Sequence, residues 1–342
     1  MTFELPALDG AAAKRAAAAF DRKTKPLGSL GRLEETVCRI AAVRGSLPSA
    51  RLRAAAVVVA ADHGVAAEGV SAYPQEVTRQ MVANFVAGGA AAAVLARRAG
   101  IPLIVVDAGL VAPFHDEAVL SFGVAASANF VTEPALTSGQ AELLVREGRA
   151  LATRLAGDGV ELLALGEMGI GNTTVASVLS AALLDEPPAT VCGRGTGIDD
   201  NTLRRKVDTV ERALARHGVS REPLSLLASL GGGEIAFLTG LMIGAAENRL
   251  VCVIDGVVVG AAALVASALA PGLPDWLLAG HRSPEPAHDL ILQRLGLLPL
   301  LDLGMRLGEA SGALVALSVI DAATALLAEM ATFESAGVSD RG

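Results

Sequence analysis

Three short stretches of the sequence combine glycines with carboxylates and small hydroxyl residues. They are GEMGIGNTT at residues 166 to 174, CGRGTGIDD at 192 to 200 and LGEASGA at 307 to 313. Glycines at a strand-to-helix turn let backbone amides approach a ligand, and the first amides of the helix that follows favour an anion. In the first two stretches Thr173, Thr174 and Thr196 add hydroxyl donors. Lys206, on the helical pattern after the second, adds a cation if it faces the site. Neither stretch is a triphosphate loop, because Gly171 is followed by Asn172 where GxxxxGK[ST] requires lysine. The expected ligand is a single phosphate or a ribose phosphate. The third stretch sets Glu309 in apolar sequence, and burial raises a carboxylate's pKa and makes it a better proton acceptor. Helix capping or pairing with Arg306 fits the spacing of Glu309 equally well, and Ser311 or Asp302 could be the cap instead.

Other residues able to do chemistry are sparser. Asp62 and His63 end an apolar run, and His281 and His288 lie in GHRSPEPAH, but no further ligand recurs at metal-binding spacing, so neither metal nor cofactor is expected. Tyr73, the only tyrosine, stands beside Ser71, Pro74 and Gln75 in a predicted loop, where its ring could pack on a flat ligand or simply pin the loop. Cys38, Cys192 and Cys252 are far apart in apolar segments and read as buried thiols of a reducing compartment. A net charge of -8 argues against a nucleic-acid partner. The first ten residues lack the pattern of a signal peptide, which points to a cytoplasmic protein. The most apolar run, 256 to 273, is rich in Ala and Gly and interrupted by Ser267 and Pro271. It reads as a strand end and a buried helix, with no membrane partner.

These residues need elements to hold them. At 342 residues and 52% hydrophobic composition the chain can build one large or two medium domains. The runs 54 to 62, 101 to 109, 160 to 167, 188 to 195 and 249 to 256 are short, rich in Val, Ile and Leu, and end in Asp, Glu or Gly. Such runs fit strands buried on both faces of a parallel sheet. Helical patterns lie between them, one from Gln75 to a capping Gly100 and one from Asp199 or Asp200 to Gly218. The alternation predicts an α/β fold, an open parallel Rossmann-like sheet flanked by helices. Residues 10 to 45 and 290 to 333 read as helical, so a smaller helical subdomain of residues 1–48 and 292–342 is expected beside an α/β domain of residues 49–291. Ligands of open sheets bind beyond the carboxyl ends of the strands, which gathers Asp62, His63, Asp107, Glu167, residues 193 to 197 and Asp255 at one edge.

Taken in order, TKPLGSLGRLE, ADHGVAAEGVSAYPQEVT, GEMGIGNTT, GRGTGIDD, GGGEIA, GHRSPEP, LDLGMRLGEASGA and EMATF resemble one family over nearly the whole chain. It is the nicotinate-nucleotide:dimethylbenzimidazole phosphoribosyltransferase family of cobalamin biosynthesis. The resemblance implies a homodimer with a parallel α/β domain and a smaller helical one. It also implies transfer of the 5-phosphoribosyl group from nicotinate mononucleotide to 5,6-dimethylbenzimidazole without a cofactor. It carries the general base to Glu309, which is followed by Ala310 where many relatives have glycine. It carries phosphate and ribose binding to Gly169, Gly171, Asn172, Thr173, Gly195 and Lys206, with Ser283 as a further phosphate contact that could reach across the dimer. The base slot is expected around Tyr73 and Gln80, and Glu167 near the exchanging bases.

Competing readings are a nucleotide hydrolase, a phosphoribosyltransferase for another azole, and a non-catalytic nucleotide sensor, which would not need a carboxylate at Glu309. A Rossmann dehydrogenase is disfavoured because the first strand leads into HGVAAEG instead of GxGxxG.

Overall fold

The structure, a computed structural model, describes residues 2–218, 220 and 222–339. Seven strands form one sheet: β1 Ala54–Ala60, β2 Leu103–Asp107, β3 Val119–Ser121, β4 Leu162–Met168, β5 Val251–Ile254, β6 Leu277–His281 and β7 Pro299–Leu301. Their order is β3-β2-β1-β4-β5-β6-β7, and every pairing is parallel. The fold is the expected α/β one. β1 is buried along its last six residues, which explains a continuous apolar run in place of an alternating one. Chain order reverses between β1 and β4, and the register Ala60↔Met168 sets their carboxyl ends side by side. That reversal opens the crevice where a ligand can enter.

Helices cover the sheet at close range. Ser138–Gly157 lies against Gly233–Glu247 with glycines at the contact. A Cβ on Gly148 would come within 2.1 Å of the Phe237 carbonyl oxygen, and one on Gly240 within 2.0 Å of that of Val145. The apolar run after β5 is the helix Val257–Leu269, almost wholly buried against neighbouring helices. Ser311–Glu329 is long and apolar enough to cross a membrane by composition, but it packs on β4, β6 and the helices Arg32–Arg44 and Ala91–Ala99. Gly10–Asp21 and Arg32–Arg44 pack on each other and on Ser311–Glu329. Within the carboxyl-terminal stretch read as helical, residues 299–301 join the sheet through β6.

Several local expectations change. Residues 188 to 195 are not a strand: Pro188 presets a helical φ at the start of the turn Pro188–Val191, and an irregular loop follows. The helical pattern from Gln75 to Gly100 is two helices, Glu76–Val86 and Ala91–Ala99, divided at Gly88, whose φ is +80°. β3, β6 and β7 are additional strands. Asp199 caps its helix as expected, its carboxylate accepting from the Thr202 amide at 2.8 Å. Cys192 and Cys252 are buried, whereas Cys38 is only half-buried.

Candidate active site

An open cavity of about 650 Å³, mouth included, lies beyond the carboxyl ends of β4, β5 and β6. Six of the residues to which the resemblance assigns binding line it together: Glu167, Gly169, Asn172, Thr173, Gly195 and Ser283. β4 delivers Glu167, and the turn at Gly169 to Gly171 feeds directly into the helix Asn172–Leu184. Gly171 makes that turn at φ +94°, a conformation that costs a residue with a Cβ about 1–2 kcal/mol. Gly171 itself is at the helix N-terminus without being part of the cavity wall. The Ile170 amide donates to Thr78 Oγ1 at 3.1 Å, tying the turn to the helix Glu76–Val86. Thr196 lines the cavity, whereas Thr174 is fully buried and does not line it.

Lys206 does not line the cavity. It is fully buried, and its ammonium donates to Thr173 Oγ1 at 2.9 Å and to the Gly193 carbonyl at 3.1 Å. It straps the two glycine loops together from behind. Burial lowers its pKa, partly opposed by Cys192 and Glu285. The Gly195 amide, expected to meet a phosphate, donates instead to Glu285 Oε1 at 2.9 Å. Arg306, which lines the cavity, donates to the Gly195 carbonyl at 3.3 Å and is not a partner of Glu309. Ser283 is held from below, its amide donating to His288 Nδ1 at 2.9 Å. Burial pushes His288 down to about 4, so its ring stays neutral and able to accept.

Glu167 lines the inner wall, with Asp255, Glu234 and Glu309 buried near it. Glu167 is pushed up to about 8 by burial first, then by the charges of Asp255 and Glu234, against the hydrogen bond donated by Asn172. Asp255, fully buried, is pushed up to about 7 by burial, against amide bonds from Ala313 and Gly312, with the charge of Glu309 adding to the rise. A protonated Glu167 lowers the negative charge that an anion would meet at that wall. Both folded pKa values lie above the ordinary carboxylate range, so bound protons stabilise the fold. That contribution is complete below about pH 4 and is lost as pH rises through about 7 and 8. The melting temperature of the unliganded protein should therefore fall from pH 5 to pH 9, and Glu167→Gln should flatten the upper part of that fall. An unchanged slope in the variant would show that Glu167 does not titrate there.

Glu309 reaches the site from behind Gly308, which lines the cavity. Its side chain is 6% exposed, and burial raises its pKa against a hydrogen bond from the Ala92 amide, at the start of the helix Ala91–Ala99. Its Oε2 has no hydrogen-bond partner among the described residues. Capping is not its role, because the helix that follows begins at Ser311 and Asp255 accepts its first free amides. Asp302 is not the cap either and faces Arg282 at 3.4 Å. Glu309 and Ala310 both hold left-handed backbone, at φ +59° and +60°. The strap they form lies directly on β4, where a Cβ on Gly166 would stand 2.0 Å from the Ala310 nitrogen. Gly166→Ala should cost about 1–3 kcal/mol of stability by overpacking and lower turnover by displacing Glu309. Denaturant melts with parallel rate measurements check it, and a variant with wild-type stability and rate would refute the close packing.

Two predicted residues stand apart. Gln80 lines a different cavity with Asp62, Gln75, Arg79 and Val111. Tyr73 is 54% exposed and lines neither cavity; its amide donates to Ser71 Oγ at 3.2 Å. Sequence reasoning missed His281, Glu285 and Arg306 as cavity residues, and Glu234 as a buried acid beside the floor. The signal for Glu234 was available: it is the one ionisable residue between Glu222 and Glu247.

The sequence matches the family described as "Phosphoribosyltransferase" over residues 5–338. It is 50% identical to the nicotinate-nucleotide–dimethylbenzimidazole phosphoribosyltransferase of Chloroflexus aggregans, over 98% of this chain and 96% of that one. The protein of the same name from Roseiflexus sp. is 49% identical, again over 98% and 96%. Among solved structures, that of CobT from Thermus thermophilus superposes with a TM-score of 0.91 at 47% identity, covering 97% of this chain and 100% of that one.

Proposed function

The chain belongs to the nicotinate-nucleotide:dimethylbenzimidazole phosphoribosyltransferase family, and on that premise we infer that its cavity transfers the 5-phosphoribosyl group of nicotinate mononucleotide to 5,6-dimethylbenzimidazole. The products are α-ribazole 5'-phosphate and nicotinate, in cobalamin biosynthesis. The observation that carries the site assignment is a buried carboxylate, Glu309, held in strained backbone beside a cavity whose opposite wall is a glycine turn opening a helix.

The bound nicotinate is a pyridinium, so it leaves as a neutral ring nitrogen when the electron pair of its glycosidic bond returns to it. The incoming azole forms the new bond to the anomeric carbon through its unprotonated nitrogen, and the proton on its other nitrogen passes to Glu309. Burial suits Glu309 to this task, because a carboxylate with a raised pKa holds the proton better. Asn172, Thr173 and the amides that open Asn172–Leu184 hold the phosphoribosyl group, with Ser283 and Arg306 at the mouth. Lys206 keeps the two loops in register. Seating the azole within about 3–3.5 Å of the anomeric carbon supplies much of the rate. Glu167, protonated at neutral pH, faces the bases as a hydrogen-bond donor. Tyr73 and Gln80 border the azole slot only after the loop around Tyr73 moves inward from its exposed position.

The assembly proposed is a homodimer. Its support is the exposed apolar set Leu298, Leu303 and Leu307 around the segment that carries Arg306 and Glu309. Residues 1–48 and 292–342 are taken as the smaller unit, packed through Gly10–Asp21, Arg32–Arg44 and Ser311–Glu329, and the cytoplasm as the compartment. Product analysis with nicotinate mononucleotide, with and without dimethylbenzimidazole, tests the reaction: the ribotide should form only with acceptor present. Nicotinate release at the same rate without acceptor would make the protein a hydrolase.

A further inference from the structure

Beneath the glycine turn lies a pair of ionisable residues that the transfer reaction does not use. His63 and Glu234 are both fully buried, with His63 Nε2 3.1 Å from Glu234 Oε1. The approach is close in distance yet poorly aligned, and neither Glu234 oxygen accepts a hydrogen bond of good geometry among the described residues. A buried acid so poorly satisfied is costly, and an apolar pair of similar volume would serve the core as well or better. A pair kept at that cost requires an explanation beyond stability.

The surroundings of His63 supply one. Its Nδ1 lies 3.2 Å from Ser127 Oγ, and its backbone carbonyl accepts from Gln75 Nε2 at 3.3 Å. Two glycines pack against the ring. A Cβ on Gly169 would meet His63 Nε2 at 2.9 Å, and one on Gly232 would meet Cε1 at 2.5 Å. The ring therefore touches the phosphoribosyl turn at Gly169, the amino end of Gly233–Glu247 and the Ser127 segment, while the backbone carbonyl of the same residue holds Gln75. The Gly169 turn is the seat assigned to the phosphoribosyl group, and Gln75 shares a cavity with Gln80 on the azole side, which places His63 between the two. Glu234 stands against the ring on the side opposite Ser127, and its charge also reaches Glu167.

We propose that His63, packed between Ser127 and Glu234, is a positioning residue that sets the separation between the phosphoribosyl seat at Gly169 and the azole seat reached through Gln75. The proposal rests on the transferase reading of the site. It acts on geometry at the moment of attack, where a displacement of about 1 Å costs roughly 100-fold in rate while each substrate still binds its own half. His63→Asn keeps an amide in place of Nδ1 for Ser127 and abandons Glu234, whereas His63→Gln reaches toward Glu234 in place of Nε2. Glu234→Gln keeps the shape and removes the charge.

The test is steady-state kinetics on the wild type and the three variants, with melting temperatures and calorimetric titration of nicotinate mononucleotide alone. Wild-type enzyme must first form the ribotide; if it does not, the transferase reading fails and not this one. Expected for His63→Asn is a kcat about 100-fold lower, with both KM values and the nucleotide's binding constant within about threefold of wild type. His63→Gln should recover at least tenfold of that loss, and Glu234→Gln should lose about tenfold. Variants that melt earlier but turn over normally per folded molecule would overturn the proposal, as would a loss confined to KM or a His63→Gln no better than His63→Asn. If His63→Asn does not fold, Glu234→Gln decides alone, and unchanged turnover in it refutes the coupling.

Discussion

Turnover of Glu309→Gln is expected to fall by about 10²- to 10⁴-fold, the range for loss of a positioned general base. The substitution keeps the side chain's shape and its contact with the Ala92 amide, so the KM for each substrate should stay within about threefold. Stability should hold or rise, because a neutral amide removes the burden of a buried charge. The wild-type rate should also decline on the acid side as Glu309 takes up its proton, at a pH above the usual carboxylate range. In the variant that limb should vanish. A Glu309→Gln enzyme within tenfold of wild type would transfer the base role to Glu167, the carboxyl of β4 that lines the cavity.

The second large effect concerns Lys206. Its ammonium binds Thr173 and Gly193 from the protein side and touches no cavity surface. Lys206→Met removes a buried cation from a low-dielectric site, so the melting temperature should stay level or rise. It also unties the loops carrying Thr173 and Gly195, and the KM for nicotinate mononucleotide should climb by about tenfold or more while the KM for dimethylbenzimidazole holds. Lys206→Arg distinguishes a strap from a direct phosphate contact: a guanidinium is too broad for the closed gap but would still neutralise a phosphate. Failure of arginine to rescue supports the strap, and rescue to wild-type KM would return Lys206 to the phosphate.

Much of this site was legible because strand ends announce themselves. Apolar runs that stop at Glu167 and Asp255 are strands meeting a polar edge, and the crevice rule brings their ends together. The run 188 to 195 misled because Val191 and Cys192 look like strand residues while the tandem Pro187–Pro188, which starts a helical turn, decides the backbone. β3 and β7 span three residues each, too short for a periodic signal. Side-chain direction was the harder matter. Lys206 lies on a helix whose sequence is compatible with either an inward or an outward lysine, and only the packing of that helix behind the loops turns it inward. The exposure of Tyr73 likewise follows from where the loop rests, which composition does not encode.

Asp255 works as punctuation. Its Oδ1 takes the amides of Gly312 and Ala313, which in a longer helix would bond the carbonyls of Gly308 and Glu309. The nineteen-residue helix Ser311–Glu329 is rich in good helix formers, and in LGEA only Gly308 disfavours another turn. Growth by that turn would wind Glu309 into the helix and relieve the left-handed backbone at Glu309 and Ala310. By taking those amides, one carboxylate at the end of a strand starts the helix at Ser311 and leaves Glu309 outside it, in the strap that lies on β4.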